Sequence, residues 1–200
     1  MAKKIKDGKL FYHVTAIENL ENIFKHGLLS RDDAIKQNLL NVDIADSKII
    51  EKRKELDILK YVPFHFFEPT AFTGAVFNSY PNKSFCSIAI LREFAKNRNY
   101  KICTAHPLSL SPKAEVLNYS EGIARINWEE AEKRDYNSDV SKNACMAECL
   151  AFSPVLPEVF FTIFVPNMTS QNYVDSIATK ILGDYKFYID VNPVLSKARI

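Results

Sequence analysis

The sequence predicts a mixed α+β fold on three observations. Apolar positions shift between alternating and helical spacing along the chain without settling into a regular strand-helix-strand repeat. The strongest strand signal, VFFTIFV over residues 159–165, stands between Pro157 and Pro166, which bound it at both ends. With 47% hydrophobic and 25% charged residues in 200, the chain can bury one core and still shape a ligand cleft.

Residues 9–14 read as the first strand. Residues 19–26 follow as a short helix with Leu20, Ile23 and Phe24 on one face, and Thr15 is placed to cap it. Gly27 is the residue type that ends such a helix, because it tolerates the left-handed conformation. Residues 30–59 are polar, charged and rich in helix formers, with Ile44, Ile49 and Ile50 as sparse apolar positions, so a helical or irregular surface segment is expected. Residues 61–67 are aromatic and β-prone. Pro63 lacks a backbone donor, which pushes this segment to a sheet edge or the start of a strand rather than mid-sheet. Further on come a strand at 85–91, a helix at 92–96, a strand at 100–104 and a charged helix at 128–134. A helix at 170–182 and a strand at 186–191 follow the 159–165 strand.

Five glycines, no Gly/Ser-rich stretch and no internal repeat predict one domain over residues 1–200. The charged start lacks a signal-peptide core and no apolar run would cross a membrane, so a cytoplasmic protein is expected. Cys86, Cys103, Cys145 and Cys149 show no CxxC spacing and read as reduced thiols, with no metal implied. A net charge of +2 does not by itself mark a nucleic-acid binder.

Four segments hold candidate chemistry. In the first, His13 and Thr15 end a strand, and Gly27-Leu28 turns the chain one helix later, an arrangement that can contact a nucleotide; a lone strand histidine is more often packed core. In the second, Arg53 lies one helical turn beyond Ile49 and could reach a phosphate or carboxylate, where the bland alternative is a solvated charged face. The aromatic run at 61–67 could stack on flat rings, although most such clusters are core. In the fourth, Glu148 stands among apolar neighbours, where an ionised carboxylate is costly unless paired or opened to a cleft.

Taken in this order, the segments resemble the DarT family, DNA ADP-ribosyltransferase toxins of bacterial toxin–antitoxin pairs. The Tyr12-His13-Val14-Thr15 to Gly27-Leu28 opening is similar to the wider ADP-ribosyltransferase superfamily. Ile44-Ala45-Asp46-Ser47 with Glu51-Lys52-Arg53, then Tyr61-Val62-Pro63-Phe64, then Ala147-Glu148, narrows the likeness to DarT. The resemblance implies two small sheets flanking an NAD cleft, with NAD as co-substrate and single-stranded DNA as substrate. A DarG-like macrodomain antitoxin is implied as partner. Carried over, His13 and Thr15 hold the nicotinamide end. Asn19, Gly27, Leu28 and Phe64 shape the cofactor pocket, Arg53 faces the phosphates and the reacting centre, and Glu148 is the catalytic glutamate after a recognition loop at 135–143. His106 is the candidate for positioning or deprotonating the base, and Arg92, Lys113, Lys142 and Tyr136 are candidates for DNA contact.

The chemistry wants these residue types. Breaking the nicotinamide–ribose bond builds positive charge on the sugar, so a carboxylate on a ribose hydroxyl stabilises the transition state more than the substrate. An arginine on the pyrophosphate fixes the remainder of the molecule. Residues 68–73 (EPTAFT) lack the arginine-serine-proline pattern associated with the thymidine-modifying branch, which leaves the target base open; guanine is the expectation and thymine the alternative, with no residue-level derivation for either. The competing readings are a transferase of the same fold acting on RNA or protein, an RNA phosphotransferase, and a non-catalytic nucleic-acid-binding domain.

Overall fold

A computed structural model describes residues 4–110 and 113–197. The β-prone runs form eight strands: β1 (Leu10–Ala16), β2 (Tyr61–His65), β3 (Phe85–Leu91), β4 (Lys101–Cys103), β5 (Val116–Leu117), β6 (Glu148–Phe152), β7 (Phe160–Val165) and β8 (Tyr188–Val191). They make one sheet, in the order β5-β4-β6-β2-β1-β3-β7-β8, with β8 parallel to β7 and the other pairs antiparallel. The helices are α1 (Leu20–His26), α2 (Arg31–Lys36), α3 (Ser47–Glu55), α4 (Ala71–Ser79), α5 (Arg92–Asn97), α6 (Tyr119–Arg125), α7 (Trp128–Lys133), α8 (Asp139–Cys145), α9 (Met168–Leu182) and α10 (Val194–Lys197).

The mixed class is therefore as expected, but the two sheets are one. Its halves, β5-β4-β6-β2 and β1-β3-β7-β8, meet through one residue pair, Tyr12 opposite His65. That weak seam also explains why Pro63 lies in a central strand. The N–H and C=O of one strand residue point to the same neighbour. The Pro63 carbonyl accepts from the His13 imidazole of β1 at 2.8 Å, so the missing N–H also falls on the splayed side, where β1 offers no ladder partner. Pairing with β6, where Pro63 stands opposite Leu150, is left intact.

One face of the sheet carries the main core, where Phe11, Phe64, Ile88, Ile90 and Ile163 are fully buried. Each such side chain stabilises the fold by roughly 1.5–3 kcal/mol. α1 and α9 cover this face, with Phe24 stacked on Phe187 at 5.8 Å between ring centroids. Two smaller clusters complete the packing, one around Ile58 and Leu150, the other joining Val14 and Ala16 to Val76 and Phe85.

Local sequence sets the element ends. Asp46 caps α3 by accepting from Lys48 N at 2.8 Å, and Thr70 with Thr73 forms a reciprocal capping box on α4. Thr15 does not cap α1. β1 runs on to Ala16, a 3-10 turn at Ile17–Asn19 intervenes, and the Thr15 hydroxyl accepts from Asn19 Nδ2 at 3.1 Å. Gly27 does end α1, at φ +81°. A Cβ there would lie 3.0 Å from Pro154 Cβ and 3.2 Å from Leu156 Cδ2. Gly27→Ala is therefore expected to cost about 1–3 kcal/mol, from the positive φ and the crowding together, read as a lowered urea midpoint at unchanged slope.

Candidate active site

The seam between the half-sheets opens a cleft, walled by α3 and the chain leading into it and floored by β2 and β6. Glu148 enters the floor because it is the first residue of β6. Its alternation with buried Cys149 places the carboxylate on the face opposite the main core. Arg53 is the buried residue of α3, with Ile49 and Ile50 half-buried one turn earlier. Its Nη1 donates to Glu148 Oε2 at 2.6 Å, and the two side chains are only 11% and 7% exposed. Two charges this enclosed are tolerable because they neutralise each other. Among the described residues, Arg53 Nη2 is enclosed without a hydrogen-bond partner and none bonds Glu148 Oε1. A donor and an acceptor at the cleft floor thus remain open to a ligand.

Three histidines border this pair. His13 Nδ1 faces the Pro63 carbonyl at 2.8 Å, and since a carbonyl only accepts, Nδ1 holds the proton and Nε2 the lone pair. Burial pushes this imidazole down to about 4, against the pull of the Pro63 carbonyl. His65 stands opposite Glu148 in the β2–β6 register, packed against Phe72 with ring centroids 5.8 Å apart. Burial holds it below its ordinary value, with Glu148 pulling the other way. His106 is lowered for the same first reason, and its Nδ1 accepts from Leu108 N at 3.2 Å, which leaves the proton on Nε2. All three rings are neutral at pH 7.

The structure brings His13, Thr15, Asn19, Gly27, Leu28, Arg53, His106 and Glu148 to the same cleft. Asn19 contributes as a brace. Its amide donates to Thr15 Oγ1 and to the Val42 carbonyl, and its Oδ1 accepts from Asn41 N and Val42 N, so it pins the 39–46 segment across the cleft. Arg31 bound to Asp43 at 2.5 Å and Tyr80 Oη on the Asp43 carbonyl fasten the same segment.

Other expectations need correction. Phe64 is fully buried on the core face of β2, where it backs the His13 ring at 5.5 Å and cannot reach a ligand. Arg92 is 8% exposed, and its guanidinium donates to the main-chain carbonyls of Leu10, Lys6 and Phe66, so it is turned into the fold rather than toward a DNA backbone. The stretch at 135–143 is not all loop, since α8 begins at Asp139. Tyr136 is half-buried against the core, while Lys113 and Lys142 are exposed. His65, Phe72 and Met146 line the cleft without having been singled out from sequence. The one available signal was His65 itself, a polar residue alternating with Phe64 and Phe66.

Glu68, just beyond β2, has both carboxyl oxygens enclosed without a partner, beside Ser87 Oγ, which also lacks one. Burial pushes its carboxyl up to about 7, with Ser87 pulling the other way. A carboxyl raised in the folded state binds more protons there than when unfolded, so stability falls as pH rises from about 4.5 to about 7. Glu68→Gln is expected to remove that slope, gaining on the order of 3 kcal/mol relative to the parent at pH 8 and little at pH 4. Urea melts of both proteins at the two pH values check this.

The family model described as ssDNA thymidine ADP-ribosyltransferase, DarT, matches residues 12–193. The chain belongs to the DarT family. As a DarT-family protein it is a single-stranded-DNA ADP-ribosyltransferase. A DarT from Thermus sp. 2.9, solved in complex with ADP-ribosylated ssDNA, superposes with a TM-score of 0.79 at 16% identity, covering 98% of this chain and 99% of that one. The same organism's DarT in complex with NAD+ gives 0.75 at 14% identity, covering 94% and 98%. Thermosipho africanus DarTG in complex with ADP-ribose gives 0.74 at 20% identity, and the match covers 94% of this chain and 50% of that one. Among proteins of curated function none matches. Among the described residues no helix is long and apolar enough to cross a membrane.

Proposed function

We propose that this chain is a single-domain toxin that moves ADP-ribose from NAD to a base nitrogen of single-stranded DNA, using Glu148 and Arg53 as its catalytic pair. The observation that carries this is the buried Arg53–Glu148 contact at the cleft floor, with Glu148 Oε1 and Arg53 Nη2 both unspent, in a DarT-family chain. The residues fit NAD: a carboxylate oxygen for a ribose hydroxyl, a guanidinium nitrogen for a phosphate, and the His13 Nε2 lone pair for a carboxamide N–H. NAD supplies an ADP-ribosyl group once its nicotinamide–ribose bond breaks.

The chain's own part is electrostatic and positional. Glu148 holds the ribose hydroxyl with a charge that matters more as the sugar becomes cationic. Arg53 keeps that carboxylate oriented and anchors the phosphate side. Thr15, Gly27 and Leu28 shape the wall, and neutral His106 presents Nε2–H to a carbonyl oxygen of the incoming base. Donation, rather than proton removal, is the role its tautomer supports. Lys113 and Lys142 are the exposed cations we assign to the DNA backbone.

Thymine is the base we assign first, because the family description names thymidine. The guanine preference drawn from sequence rests on no residue of the site. The partner we assign is a macrodomain that removes the modification. The test is expression in bacteria with and without such a macrodomain, followed by digestion of the DNA and mass spectrometry of its nucleosides. Growth arrest with ADP-ribosylated thymidine supports the reading; normal growth with unmodified nucleosides overturns it.

A further inference from the structure

Joining the ribose to a base nitrogen leaves one proton to be placed. The bond between nicotinamide and the ribose C1′ breaks, its electron pair neutralising the nicotinamide ring. The bond between C1′ and the base nitrogen forms, and the hydrogen of that nitrogen must leave as a proton. Several titratable side chains line the cleft, and most are already committed: toward its rim Asp43 is paired with Arg31 and Asp46 caps α3. Arg53 is protonated and tied to Glu148, and Glu148 has one oxygen on Arg53 and the other assigned to the ribose. His13 has its Nδ1–H on the Pro63 carbonyl, and its Nε2 is the one assigned to the carboxamide N–H. His106 spends its acceptor nitrogen on Leu108 N.

His65 is different. Its Nδ1 is enclosed with no hydrogen-bond partner, and the polar main-chain group beside the ring is the Ala147 carbonyl. The ring lines the cleft directly beside Glu148, packed at a tilt against Phe72. The groups facing it come from every neighbouring element: Glu148 and the Ala147 carbonyl before and on β6, Arg53 on α3, His106 after β4, and His13 on β1. Glu148 and the Ala147 carbonyl favour the protonated ring, whereas burial, Arg53 and His106 oppose it. The ring is thus neutral at rest, with stabilising partners in place for the proton it would take up.

We propose that His65 is the general base of the transfer, receiving the proton of the base nitrogen as the C1′–nitrogen bond forms and passing it to solvent. This rests on the assignment of the chain as a DNA-base ADP-ribosyltransferase. It requires His65→Gln to bind NAD and the oligonucleotide as tightly as the parent while losing about 10²-fold or more in single-turnover transfer rate. The parent's rate should rise with pH along an acid limb that is absent in the variant. An oligonucleotide carrying 5-fluorouracil, whose N3–H ionises more readily than that of thymine, should restore much of the variant's rate.

His65→Asn serves as the second variant if the glutamine disturbs packing, with a thermal melt of each against the parent. Intact binding with lost rate, lost acid limb and rescue by the acidic base supports the proposal. Full activity in both variants overturns it, as does an equal loss on thymine and 5-fluorouracil. A parent that leaves every oligonucleotide unmodified overturns the functional assignment instead, which keeps the two failures distinct.

Discussion

Glu148→Gln is expected to lower ADP-ribose transfer by about a thousandfold or more while leaving the protein folded and able to bind NAD. Glutamine keeps the shape and one carbonyl acceptor, so Arg53 Nη1 retains a partner at the position it now uses, 2.6 Å from Oε2. What is lost is the negative charge beside a sugar that becomes positive only on the way to the transition state. Removing one such group from an enclosed site costs on the order of 10²–10³ in rate when the group is a neutral donor, and a full charge costs more. The loss should fall on the rate at saturating NAD rather than on affinity, because the interaction strengthens only as charge develops. Glu148→Ala is a different experiment. It would leave the Arg53 guanidinium, 11% exposed, without its counter-charge, and a destabilisation of about 3–5 kcal/mol is expected on top of the lost activity.

An equally large effect on stability is expected from Arg92, outside the cleft. Its guanidinium reaches the carbonyls of Lys6 at 3.1 Å, Leu10 at 3.0 Å and Phe66 at 2.5 Å, and lies 5.0 Å from the centroids of both Phe11 and Phe66. It ties the segment before β1 to the end of β2, on the core side of the sheet. Arg92→Met keeps much of the volume but leaves three main-chain acceptors without their donor. At roughly 1–3 kcal/mol for each that stays dry, partly relieved by water at the exposed Lys6 end, a loss of about 3–5 kcal/mol is expected in a denaturant melt, matching that of Glu148→Ala. The salt dependence of DNA binding should not change, since Arg92 neutralises no phosphate. A shallower salt slope in the variant would instead return Arg92 to the DNA surface.

How far the sequence could be read depends on what each residue's neighbours contribute. Local pattern was enough for α1, α9, β3 and β7: apolar spacing or a β-prone run in each, with a flanking Gly or Pro for all but β3. The Glu148 position was legible because a carboxylate amid apolar residues at the start of a β-prone run has few cheap environments. Arg53 was legible as a partner only through family resemblance, since its own helix is otherwise charged and solvated. Facing across strands was not legible. Phe64 and His65 are adjacent in sequence, and which of them meets the cleft is fixed by the pairing of β2 with β6, which no local pattern reveals. Arg92 misled for a related reason, because a cation at a strand-to-helix junction looks exposed until the segment before β1 folds over it. Pro63 pointed to an edge or a strand entry, yet it sits within a central strand, because its missing donor falls on the seam where β1 offers no ladder partner.

The central claim is that this cleft transfers ADP-ribose from NAD to a base of single-stranded DNA through Glu148. Its most direct test is mass spectrometry of four single-stranded oligonucleotides, each enriched in one base, after incubation with NAD and either the parent or Glu148→Gln. The account predicts addition of one ADP-ribose unit to the thymine-rich strand by the parent and to none by the variant. Modification by both proteins, or by neither, would contradict it.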